Sequence, residues 1–241
     1  MPLPSDELDD RALDLALEVE EQLENDPDSA LDIADRAPPE SVHHPEVRLA
    51  RARALIAARG ALSARPVLEG LVEQEPDFAE ARHVLAGVLE QIGDHAGAVR
   101  ELLMVRRLDQ AADRADGFEL AAVERSIVEV AERVLRELPP RFQKLLVSVP
   151  VLVEERPSEE LVKEGFDPRS LGLFAGPTQE ESALATIPAP TRIVLYAANL
   201  AAFADPNDAE ELAHEVEITV RHELGHYFGL DEEQLHALGL G

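Results

Sequence analysis

Apolar positions recur with a helical period through the first half of the chain. From Asp6 to about Arg114 the residues are rich in the helix formers Ala, Leu, Glu and Arg. The pattern is broken at Asp26-Pro27, Pro38-Pro39, Gly60, Pro76 and Gly93. No stretch there alternates as a strand would. The second half opens at Asp113–Gly117. An amphipathic helix is predicted from Phe118 to Leu138, with Leu120, Val123, Ile127, Val130, Ala131, Val134 and Leu135 on one stripe. Pro139-Pro140 ends it.

Three β-rich segments follow. Leu145–Val153 is β-branched and apolar and reads as a buried strand, with Pro150 arguing for an edge or a bulge. Leu171–Ala175 reads as a second strand, Thr178–Ser182 as a polar loop and Ile193–Tyr196 as a third strand. A helix is then expected from about Asn207, with start signals in Asp205–Asp208 and apolar residues at Ala209, Leu212, Val216 and Val220. Gly229 is placed where such a helix ends in a left-handed cap. The expected class is α+β: a helical first half, then a small mixed sheet and a long helix.

The helical half repeats itself. Ala79–Gln110 reads helix, Gly-Asp turn, helix, and Gly60 and Gly93 punctuate it at corresponding places. Residues 45–78 are a weaker copy and 6–39 weaker still. Ala86 and Ala98 permit close helix crossing. The pattern resembles tetratricopeptide repeats, although Pro66 falls inside a helix of the middle copy and the aromatic positions are mostly aliphatic. Such arrays dock peptides or protein partners on a concave face. His43, His44, His83 and His95 lie here and read as structural or surface residues.

The chemistry is concentrated in His222-Glu223-Leu224-Gly225-His226, an H-E-x-x-H motif. On a helix, residues four apart stand one turn above each other on one face, so both imidazoles reach a single metal ion. Glu223 beside them is placed to take a proton from the water that such a metal activates. A chain turning back after Gly229 brings a third ligand: Glu232 at the H-E-x-x-H-x-x-G-x-x spacing, with Asp231 as the alternative and His236 beyond it. Asp231 and Gln234 also form the pattern of a capping box for a short last helix. The sequence does not identify the oxyanion partner; Tyr196 and Tyr227 are the only two tyrosines, and either would be a guess.

Composition narrows this picture. There is no Cys, so a zinc site here must use His and carboxylate. The net charge of −27 is spread evenly: 12 basic and 26 acidic side chains in residues 1–116, and 10 and 23 in residues 117–241. An acidic surface opposes nucleic acid and anionic membranes and favours basic partners. The N-terminus has no basic and apolar leader pattern, and no apolar run reaches membrane length, so a cytoplasmic location is expected.

Residues 117–241 resemble a bacterial family of predicted zinc peptidases with a minimal metzincin-like, or zincin-like, domain. The resemblance rests on the first helix ending at Leu138-Pro139, on Val147–Pro157, on Ser170–Gly176, on Arg192–Tyr196, and above all on Thr219–Glu232. It implies a compact zinc-dependent domain with one Zn2+ per chain, His222 and His226 as ligands and Glu223 as base. The family usually has Asp at the third-ligand spacing, where this sequence has Glu232. It also implies an edge strand along the cleft, either Leu171–Ala175 or Ile193–Tyr196. The expected organisation is a helical domain over 1–115 and a zincin-like domain over 116–241. The expected function is hydrolysis of peptide or protein substrates. The alternative is a helical-repeat interaction scaffold whose second domain binds metal without catalysis.

Overall fold

A computed structural model describes residues 5–140, 143, 146, 149–177, 192–204 and 209–237, with the backbone alone for 5–8 and 232. The chain divides into two compact units. The first holds residues 1–112 and 159–165, the second residues 113–158 and 166–241. Among the described residues, no helix is long and apolar enough to cross a membrane.

The first unit is helical: α1 (Ser5–Leu23), α2 (Pro27–Asp35), α3 (Pro45–Arg59), α4 (Ala61–Gln74), α5 (Ala79–Gln91) and α6 (His95–Ala115), with the short α8 (Glu159–Lys163). Every break predicted from Pro or Gly falls between helices, and Pro66, expected inside a helix, lies in the second turn of α4. Each of α1 to α5 packs on its neighbour in sequence, and α3 also touches both α1 and α5. Small residues make this possible: Ala52, Ala54, Ala64 and Ala81 are fully buried. Arg53 of α3 bridges Glu20 of α1, at 2.9 Å, and Glu80 of α5. His44 caps α3, its Nδ1 accepting the Glu46 N–H at 3.3 Å, and His95 pairs with Glu90 at 2.8 Å. Both histidines thus serve the fold.

The second unit is built on α7 (Leu120–Glu137), β1 (Val151–Glu154), β2 (Gly172–Ala175), β3 (Arg192–Tyr196), α9 (Ala197–Phe203), α10 (Ala209–Tyr227) and α11 (Glu232–Ala237). The sheet order is β1-β3-β2. β1 runs parallel to β3, with Val151 opposite Ile193, and β2 runs antiparallel to it, with Gly172 opposite Leu195. The fold is therefore α+β with a mixed three-stranded sheet. β3 is central and buried on both faces. Its Ile193 and Leu195 join Ile127, Ala131 and Val134 of α7 and Val216, Val220 and Leu224 of α10 in one core.

Two expectations need correction. The apolar run at Leu145–Val153 is not one strand. Gln143 and Leu146 are helical, Pro150 stands just ahead of β1, and its carbonyl accepts the Ile193 N–H at 3.0 Å. Short apolar runs do not by themselves distinguish a buried strand from a buried helical turn. The helix α9, which follows β3 without a break, was not predicted. The expected loop at Thr178–Ser182 and the helix-start signals at Asp205–Asp208 lie outside the described residues.

Candidate metal centre

Strand order decides which segment borders the cleft. β3 is interior, so of the two candidate segments only Leu171–Ala175, which contains β2, lies at an edge of the sheet, β1 forming the other edge. Leu171 O accepts the Tyr196 N–H at 2.9 Å, which makes that pair hydrogen-bonded. Antiparallel pairs alternate, so the backbone groups of Gly172 and Phe174 point away from β3. They face α10. A methyl group on Gly172 would stand 2.8 Å from the Thr219 Cγ2 and 3.1 Å from the Glu223 Cγ and Oε1. Glycine here is what lets the strand lie directly on the motif helix. Replacing Gly172 by Ala is expected to lower stability by about 1–3 kcal/mol through overpacking. A denaturation midpoint equal to wild type would show that the strand yields instead.

The motif occupies the last two turns of α10. His222 and His226 bring their Nε2 atoms to 2.9 Å, with the rings edge to face and centroids 4.6 Å apart. The reason for this pose lies at the helix end. Gly229 takes φ +83, Gly229 N–H donates to His226 O and Leu230 N–H donates to Gly225 O, each at 3.0 Å. That is a Schellman cap. It turns the Leu230 carbonyl back to the His226 Nδ1 at 3.2 Å. An Nδ1–H bonded to a carbonyl leaves the Nε2 lone pair aimed at its neighbour. Leu235 of α11 seals the underside, its Cδ2 reaching within 2.2 Å of where a Cβ on Gly225 would be, so a side chain at that motif position would have to displace the Leu235 methyl.

Glu223 is 6 % exposed. Its Oε2 accepts the Phe174 N–H at 2.5 Å, which fixes the carboxylate between α10 and β2. Behind it Tyr227 packs on Phe174 and Phe228. His222, Glu223 and His226 line a cleft of about 730 Å3 together with Gly172, Leu173 and Phe174. Tyr196 and Tyr227 do not line it: both are buried, at 1 % and 7 % exposure. Burial and the Glu154 and Glu223 charges push the Tyr196 hydroxyl far above its ordinary range.

The donor set suits a zinc ion. Two zinc–nitrogen bonds of about 2.0–2.1 Å at a tetrahedral angle separate the nitrogens by about 3.3 Å, a few tenths more than the two imidazoles show. Asp231 and Gln234 form the capping box that the sequence suggests. The Asp231 Oδ1 accepts the Gln234 N–H at 2.9 Å and the Gln234 Oε1 accepts the Asp231 N–H at 3.0 Å. His236 is exposed. The Glu232 side chain lies outside the described residues. Among the described residues, no group of three or more His, Asp or Glu side chains gathers at metal-binding spacing.

Residues 146–241 match the family model of the zincin-like metallopeptidases. The match covers less than half of the chain. It includes the whole sheet and α8 to α11, and leaves α1 to α7 outside. No curated protein matches the chain. The family is one of metallopeptidases, which suggests zinc and a peptide or protein substrate for the zincin-like segment. The sequence did not single out the Leu230 carbonyl, Gly172 or Thr219, because nothing local marks a backbone acceptor or a close approach between distant segments.

Proposed function

We propose that the zincin-like segment is a zinc-dependent peptidase, with one Zn2+ held by His222, His226 and Glu232. The observation that supports it is the 2.9 Å approach of the two Nε2 atoms at the floor of a cleft, beside a buried carboxylate. Glu232 is preferred to Asp231 because the Asp231 carboxylate caps α11. When bound, zinc lowers the pKa of water toward neutrality and polarises a carbonyl. Glu223 takes the proton from the attacking water and returns it to the leaving amine. The Phe174 N–H keeps that carboxylate aimed across the cleft. Elemental analysis checks the site. About one zinc per chain is expected for wild type and none for His226→Ala. Equal zinc in both would remove His226 from the ligand set.

The second reading is a helical interaction scaffold with a non-catalytic metal site. The packing of α3 against both α1 and α5 supports a stack of repeats of the tetratricopeptide kind. A zinc-loaded chain that hydrolyses no peptide in a mixed library would favour this reading.

A further inference from the structure

Glu215 stands seven residues before His222 on α10, about 10 Å along the helix axis. The successive steps from Glu215 to Thr219, to His222 and to His226 are four, three and four residues, so all four share one face. Glu215 lines the same cleft and is half-buried. Among the described residues, no cation or hydrogen-bond donor meets its carboxylate. Glu217, two residues on and facing elsewhere, binds both Arg221, at 2.7 Å, and Arg133, at 3.4 Å. The cleft that Glu215 lines has apolar walls at Phe166, Leu171, Ile218 and Phe203. Phe203 is 67 % exposed, a large aromatic at the rim of the cleft.

An apolar occupant would bury the Glu215 carboxylate without a partner, which is unfavourable. An acidic one would be repelled. A lysine or arginine side chain satisfies both features, its aliphatic stem against the apolar walls and its charged head at Glu215. Aromatic rings beside the path add attraction for the cation. The net charge of −27 draws basic peptides to the surface. An extended peptide advances about 3.3 Å per residue, so about 10 Å corresponds to about three residues. Resting on the peptidase reading above, we infer that Glu215 selects substrates carrying lysine or arginine two or three residues from the bond held at His222.

The test uses the zinc-loaded chain with Glu223→Gln, so that binding is read without turnover. The probes are fluorescein-labelled alanine peptides in which one arginine is moved along the chain, with a second series carrying citrulline, its uncharged near-isostere. Fluorescence anisotropy should show about tenfold tighter binding of arginine over citrulline at one position, the scale of a charge-assisted contact in a partly buried site. Adding Glu215→Gln should bring the two series together. Adding Glu73→Gln, an equal charge change in the first unit, should leave the preference intact. An arginine preference that survives Glu215→Gln, or is lost equally in Glu73→Gln, would assign it to the general acidic field and overturn the proposal. So would equal binding of the two series, or no binding of either. The peptidase reading is decided separately, by cleavage of the same peptides with Glu223 restored.

Discussion

Glu223→Gln is expected to retain zinc and to lose peptide hydrolysis by a factor of about 10²–10⁴, the usual contribution of a positioned general base. The substitution is close to isosteric. The Gln carbonyl oxygen can still accept the Phe174 N–H, so the contact that ties α10 to β2 persists. What disappears is the capacity to take a proton. Zinc content by elemental analysis and turnover of a quenched fluorescent peptide, measured on one preparation, separate the two effects. Undiminished turnover would sink the assignment of Glu223 as base. Loss of zinc along with activity would instead place Glu223 among the groups that hold the metal.

Asp113→Ala is expected to destabilise the second unit by about 3–5 kcal/mol, because it removes the carboxylate paired with a buried guanidinium. Arg156 is 8 % exposed and gripped by Asp113 through two bonds, Nε to Oδ2 at 2.5 Å and Nη2 to Oδ1 at 2.8 Å. Its Nη1 donates to the Asn199 Oδ1. Asn199, 3 % exposed, donates in turn to the Ser170 carbonyl at 2.6 Å and the Pro168 carbonyl at 2.9 Å. The network thus anchors the segment that leads into β2. Urea denaturation followed by circular dichroism reads the loss. The double variant Asp113→Leu with Arg156→Met should recover part of it, since an apolar pair leaves no uncompensated charge, while the buried Asn199 Oδ1 still lacks its donor. A loss below about 1 kcal/mol for Asp113→Ala would mean that solvent screens the pair as it does at a surface.

The motif was legible because its geometry is local. Two histidines one turn apart face the same way on any helix, and Gly229 marks the end of that helix by a backbone angle that few other residues adopt. The helices of the first unit were legible for the same reason: their boundaries are set by Pro and Gly. Pairing is not local. That Leu171–Ala175 and not Ile193–Tyr196 forms the edge depends on which strand β1 joins, and neither segment carries that information. Arg156 and Asn199 are 43 residues apart in the chain, as are Arg156 and Asp113. No pattern in the sequence joins them. Glu215 sat in plain helical register with His222, yet only the cleft gives that register a meaning.

The bond from Phe174 to Glu223 also bears on solubility. An unprotected sheet edge is a template on which other chains can add and aggregate. β2 is four residues long, and one of its two outward N–H groups is already taken by a side chain of its own unit. The glutamate read here as the proton carrier is therefore also a guard on the edge. Truncating it to alanine would uncover that N–H, whereas glutamine keeps it covered. An inactive chain intended for concentrated work is accordingly better made with glutamine.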